Sequence, residues 1–395
     1  MIQFMGQLKH QVAMSRQRNC GAQPLAYFYS VLESVQTYTT ILIRCKNNCV
    51  TWIISILLFL SLMALISIVP ISSQAGEPVE PVIFIGGGTI EDYSACTLLF
   101  TMDGIEYLGN ITTNADCIYS YAMQNQWKLQ AYLGVPDYPI TLSDARAWNP
   151  FPMEYRKDSI KVYKLPLLAQ YPDNPNWPSD YIHGETFLEN QLRRATTDQS
   201  PLTLLITNPL TPLYTVLRKD PDLVRGIKRV IWMGGAVHVS GNLDPATIPS
   251  EIANPKAEWN VFWDPYAVDW IFQKTEFPIT LCPLDVTSQA KLTPKFLSAL
   301  QSQGQDFRYS EIIHNLYSLV EDQPYFEMWN TLAAVYLARP DLFDDPVPMT
   351  FRVETEGFMQ GALVQDPDGR RLDVLFNIKD SDAFYDYVLE KLKQN

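Results

Sequence analysis

Short apolar runs that end in glycine, each followed by a stretch of helical character, most narrow what this chain can fold into. Residues 82–85 (VIFI) run into Gly86-Gly87-Gly88, and residues 229–233 (RVIWM) into Gly234-Gly235. Residues 106–111, 202–207 and 279–282 read as further strands, and 93–102, 115–127, 212–219 and 265–273 as helices. A short apolar run without polar alternation belongs to a strand buried on both faces. Strands of that kind joined by helices give an open, mostly parallel α/β sheet flanked by helices on both faces. Such sheets bind ligands beyond the carboxyl ends of their strands. Site residues are therefore expected within 86–92, 206–212, 233–243 and 257–260.

Upstream of the sheet, residues 49–71 contain no Asp, Glu, Lys or Arg. About 20 apolar residues suffice to cross a hydrocarbon core of about 30 Å, so one transmembrane helix is expected to precede the domain. Lys9, Arg16, Arg18, Arg44 and Lys46 come before it, whereas the first basic residue after it is Lys128. Glu77, Glu80, Glu91 and Asp92 come sooner than that lysine. This asymmetry keeps the N-terminus in the cytosol or matrix and exports the C-terminal domain. The expected organisation is a basic segment (1–48), the span (49–71), a polar linker (72–80) and one domain (81–395). Two membranes stay open. Residues 1–32 lack Asp and Glu, as mitochondrial presequences do, which would place the domain in the intermembrane space on the inner membrane. The sequon Asn110-Ile111-Thr112, if exposed, favours endomembranes or the cell surface.

Several function classes drop out. A formal net charge of −13 opposes a surface that tracks nucleic acid. Only Cys96, Cys117 and Cys282 lie in the domain, Cys20, Cys45 and Cys49 lying upstream, and no CxxC pair occurs, so buried free thiols are expected. His10, His183, His238 and His314 show no metal spacing, and His183 is expected on a solvated loop. The glycine turn fails the G-x-G-x-x-G pattern at Glu91, and Glu91 with Asp92 would repel a phosphate.

The strand ends, taken in order, resemble the inosine/uridine-preferring nucleoside hydrolases. That family opens with D-x-D-P-G-x-D-D-A-x-A, where this chain has IGGGTIEDYSA from Ile85 to Ala95. Thr207-Asn208-Pro209-Leu210-Thr211 stands where the family has T-G-P-L-T, and LRKDPDL from Leu217 follows. Met233-Gly234-Gly235-Ala236, Gly241-Asn242, Ala257-Glu258-Trp259-Asn260 and Asp264-Pro265 answer M-G-G-A, G-N, A-E-F-N and D-P. Residues 244–256 lengthen the loop between them, and Trp329-Asn330-Thr331-Leu332-Ala333-Ala334 replaces H-D-P-L-A-A.

The resemblance implies a Ca²⁺-dependent N-glycosidase of ribonucleosides, in which carboxylates hold the ion and an Asp takes a proton from water. Carried over by position, that set is depleted. The first Asp is Ile85, the metal-binding base is Gly87, and the late His-Asp pair is Trp329-Asn330. Asp92 is retained and Glu91 replaces an Asp. The implied metal positions shrink to Asp92, Thr207 and Asn330; no cofactor is expected unless the site still takes Ca²⁺. Asp92 and Glu91 are the catalytic candidates if the chain is active. Asn242, Glu258 and Asn260 survive as ribose-side positions, to bind a nucleoside or to serve as structural contacts. Asp116 or Cys117 falls where the family has an Asn that meets the ribose. The expectation is a membrane-tethered, non-catalytic member serving a membrane protein complex or homo-oligomer. The alternatives are an active glycosidase with a rearranged site and a nucleoside or ribose sensor.

Overall fold

The computed structural model describes residues 79–395, apart from 180, 247, 324 and 325. The expected basic segment and span lie outside the described residues, as does most of the linker. Among the described residues no helix is long and apolar enough to cross a membrane.

Ten strands form one sheet: β1 (Glu80–Gly86), β2 (Ile105–Thr112), β3 (Ile140–Leu142), β4 (Ile182–His183), β5 (Leu202–Ile206), β6 (Ile227–Met233), β7 (Ile279–Cys282), β8 (Val347–Val353), β9 (Leu363–Gln365) and β10 (Arg370–Val374). Their order is β4-β3-β2-β1-β5-β6-β7-β10-β8-β9. From β4 to β10 every pairing is parallel; β8 runs antiparallel to both β10 and β9. The expected mostly parallel sheet is therefore present, with an antiparallel margin that the apolar runs did not announce. β8 shows why: its first residues are exposed or half-buried, so no continuous apolar run marks it.

The central strands obey the two-residue alternation of a pleated sheet. Val82 and Phe84 join one apolar core and Ile83 and Ile85 the other. The first core is closed by α1 (Ile90–Leu99) and α2 (Tyr119–Leu133). On the opposite face lie α3 (Gly184–Thr197), α4 (Thr211–Lys219) and, after the short α5 (Trp259–Trp263), α6 (Pro265–Lys274). The first face also receives α7 (Arg308–Tyr317) and α8 (Trp329–Ala338).

Two helix starts differ from the sequence reading. α1 begins three positions early because Thr89 and Asp92 form a capping box at its first turn. α2 begins at Tyr119, not 115, and residues 113–118 become a loop at the end of β2. Cys96, Cys117 and Cys282 are free and buried. The sequon is closed: Asn110 is 1% exposed inside β2 and donates to Thr112 Oγ1.

The chain adds β2, β3 and β4 on one side of β1, then returns to place β5 on the other. The carboxyl ends of β1, β2, β5 and β6 meet around this reversal, where open α/β sheets leave a crevice for ligands.

Candidate active site

The turn after β1 is built by glycines that leave no room for side chains. A Cβ placed on Gly87 would stand 1.8 Å from Oδ1 and 2.6 Å from Cγ of Asp116. The Asp116 carboxylate, brought by the loop after β2, thus fills the space into which a side chain at 87 would grow. Gly88 N–H donates to Asp116 Oδ1 at 3.4 Å, and Asn208 Nδ2 to its Oδ2 at 3.3 Å. Burial, then the neighbouring Asp92 charge, hold the Asp116 carboxyl well above the usual carboxylate range. Of the two positions, Asp116 turns its carboxylate to the turn after β1, while the Cys117 thiol donates to the Thr113 carbonyl.

Asp92 lies beside it, fully buried, with every acceptor direction taken. Its Oδ2 receives the Thr89 N–H at 3.0 Å and the Thr89 hydroxyl at 2.8 Å. Its Oδ1 receives the Thr207 hydroxyl at 2.9 Å and Asn330 Nδ2 at 3.0 Å. A carboxylate offers about four lone-pair directions, so four donors saturate it. Burial raises its pKa.

Glu91 turns away from Asp92 and toward α8. Its Oε2 accepts the backbone N–H of Asn330 and of Thr331, both at 3.0 Å. Its Oε1 accepts the Tyr317 hydroxyl at 2.6 Å. These are bonds of a helix cap, satisfying amides that the first turn of α8 leaves without partners. Burial pushes the Glu91 pKa up to about 7.

The ribose-side positions are also tied to backbone. Glu258 Oε2 accepts Gly235 N–H at 2.8 Å, Asn260 N–H at 2.9 Å and Val261 N–H at 3.4 Å, capping α5. Gly235 can serve this bond because its φ of 78° is open to glycine. Burial lifts the Glu258 carboxyl to about 7. Asn260 Nδ2 donates to the carbonyls of Thr207 and Met233, each at 3.0 Å. Asn242 Oδ1 accepts the Trp259 N–H at 3.1 Å, and Gly241 packs against the Ala257 backbone beneath the lengthened loop. His183 lies at the exposed sheet edge, ends β4 and bonds Asp144 through Nδ1. Trp329 packs edge-on against Phe326 with ring centroids 5.0 Å apart.

Calcium does not fit this arrangement. The ion needs six to eight oxygens with their lone pairs turned toward it. Here the Thr207 carbonyl accepts Asn208 Nδ2 at 2.9 Å as well as Asn260 Nδ2, and Asp92 is saturated. Asn330 presents an N–H donor, not an oxygen, to Asp92. Among the described residues no group of three His, Cys, Asp or Glu side chains is placed to hold a metal.

Two contributors escaped the sequence reading. Asn208 links the ends of β2 and β5, accepting the Thr113 hydroxyl while donating to Asp116, and its carbonyl takes the Trp232 indole N–H at 3.2 Å. Asp285 pins the loop after β6 through the N–H groups of Val237 at 2.9 Å and His238 at 2.7 Å. Asn208 could have been suspected, because it stands where the family motif has a glycine.

The family model for inosine-uridine preferring nucleoside hydrolases matches residues 83–386. The chain belongs to that family. The non-specific ribonucleoside hydrolase RihC of Escherichia coli K12 is 35% identical over 173 residues, covering 43% of this chain and 52% of the relative. The chain thus spans about half the length of the curated relatives it matches. An inosine-uridine preferring nucleoside hydrolase from Bacillus anthracis superposes with a TM-score of 0.69 at 28% identity, over 80% of this chain and 99% of that one. A purine-preferring ribonucleoside hydrolase from Gardnerella vaginalis gives a TM-score of 0.64 at 20% identity, over 80% and 98% of the two chains, a likeness of fold alone. Within this nucleoside hydrolase fold, the carboxylate missing at Gly87 is matched by one arriving from Asp116.

Proposed function

We propose that this chain is a membrane-tethered nucleoside hydrolase homologue that does not carry out calcium-dependent hydrolysis and serves as an accessory subunit of a membrane assembly. The observation that carries the reading is the saturation of Asp92 by Thr89, Thr207 and Asn330. To bind calcium, the site would have to give up those bonds while gaining back only the depleted ligand set. The tether rests on the charge-free stretch 49–71 and its lopsided flanks, which place the domain on the exported side. The full chain, purified in detergent, is expected to release no base from inosine or uridine, and millimolar Ca²⁺ is expected to leave its melting temperature unchanged. Calcium-stimulated release of base sinks the proposal. Co-purification with a membrane complex supports the accessory role, and recovery as a free monomer from mild extraction opposes it.

A second reading is favoured by the Asp116 carboxylate lying where a side chain at 87 would project. In that reading Asp116 accepts the proton of the attacking water in a glycosidase that does not require calcium. It predicts base release that persists in a chelator and is lost in Asp116→Asn. Turnover unchanged in that variant removes it.

A further inference from the structure

The carboxyl ends of β1, β2 and β5 and the start of α8 are joined by donors that carry no charge. Asp92 Oδ1 lies between two of them: Thr207 Oγ1 at 2.9 Å, just past the end of β5, and Asn330 Nδ2 at 3.0 Å, in the first turn of α8. Asp116 Oδ2 takes Asn208 Nδ2 at 3.3 Å. The two carboxylates border neighbouring positions of one turn. A Cβ on Gly86 would lie 2.8 Å from Asp92 Oδ1, and one on Gly87 1.8 Å from Asp116 Oδ1. Both are buried, and the charge of Asp92 acts on Asp116. Among the described residues neither is joined to a Lys or Arg in an ion pair. Buried carboxylates set close together are usually reconciled by a shared proton or a cation. Here an amide of the protein stands against one of them.

Of the donors on Asp92, Asn330 is the one whose chemistry decides whether a cation can enter. A threonine hydroxyl rotates and can turn a lone pair toward an ion. The Asn330 amide, turned over, offers only a neutral carbonyl, and a calcium site needs carboxylate charge. The backbone N–H of Asn330 is engaged separately by Glu91 Oε2, so the side chain can be exchanged without uncapping α8. We propose that the Asn330 side chain is a built-in substitute for a bound cation, tying Asp92 to α8 so that the carboxyl ends of the strands stay joined without metal. An acid at this one position then opens the site to a divalent ion, because with Asp92 and Asp116 it brings three carboxylates to one turn. This deepens the reading of a domain that dispenses with calcium, and rests on it.

The test compares the full natural chain with Asn330→Asp and Asn330→Ala, all in detergent, by thermal melting and calcium titration calorimetry. In a chelator both variants are expected to melt below the natural chain. One has lost the hydrogen bond to Asp92, and the other sets a second carboxylate against it. Millimolar calcium is expected to raise the melting temperature of Asn330→Asp by about 5 °C or more, the shift given by calcium about a hundredfold above its Kd, and to give saturable heat. It should move neither the natural chain nor Asn330→Ala, whose lost bond calcium cannot replace. Adding Asp116→Asn to Asn330→Asp removes one of the three carboxylates and should abolish the rise. An Asn330→Asp protein that calcium neither stabilises nor brings to a folded state overturns the proposal, as does an equal rise in Asn330→Ala. Both results leave the metal-independent reading standing. A calcium-induced rise in the natural chain removes that reading and the proposal with it.

Discussion

Gly87→Ala is the substitution that most directly interrogates the exchange of carboxylates at this site. The new methyl would lie 1.8 Å from Asp116 Oδ1, about half an ordinary van der Waals contact. Gly87 is not among the glycines with positive φ, so the backbone itself tolerates alanine and the cost comes from the carboxylate. Asp116 is 5% exposed and cannot swing into solvent. Moving it aside breaks its bonds to Gly88 N–H and Asn208 Nδ2, worth about 1 kcal/mol each, and overpacks the turn by about 2 kcal/mol. The lower entropy of the unfolded alanine chain returns about 0.5 kcal/mol. The net expectation is a loss of about 3.5 kcal/mol, read from urea denaturation of the full chain in detergent. The same substitution in an Asp116→Ala background should cost less than about 1 kcal/mol, giving a coupling of about 2 kcal/mol or more. An equal cost in both backgrounds would mean that Asp116 does not occupy the space, and the relocation argument would fail with it.

Two further outcomes follow from the buried glutamates. Glu91→Ala removes the acceptor of two α8 amides and of the Tyr317 hydroxyl, and should destabilise the domain by about 3 kcal/mol; a loss under about 1 kcal/mol in urea melts contradicts the capping role. Glu258 has its pKa raised from 4.5 to about 7, so its burial is tolerated best when it is protonated. Its contribution is fully present below about pH 4.5 and is lost as pH rises through about 7. Relative to Glu258→Gln, whose carbonyl can still cap α5, the natural chain should lose about 3 kcal/mol of stability across that window. Parallel stability curves for the two proteins from pH 4.5 to 7 would refute this assignment.

What was legible in the sequence was whatever is written in local pattern. The central strands, their glycine turns and the parallel sheet follow from apolar runs bounded by Gly, because a strand buried on both faces has no choice but to be apolar throughout. The depletion at Ile85, Gly87, Trp329 and Asn330 is likewise visible residue by residue against the family motif. The margin β8–β9–β10 was not legible, since half-exposed strands share their composition with loops. The disposition of the site was not legible either. Sequence places Glu91 beside Asp92, yet consecutive residues at the start of a helix point in different directions. One caps α8 and the other faces β5. Sequence separates Gly87 from Asp116 by a whole helix and a whole strand, and only the parallel pairing of β1 with β2 brings their ends together. A missing side chain can be read from one position. The group that fills its space is decided by which strand lies alongside, and that is a property of the sheet.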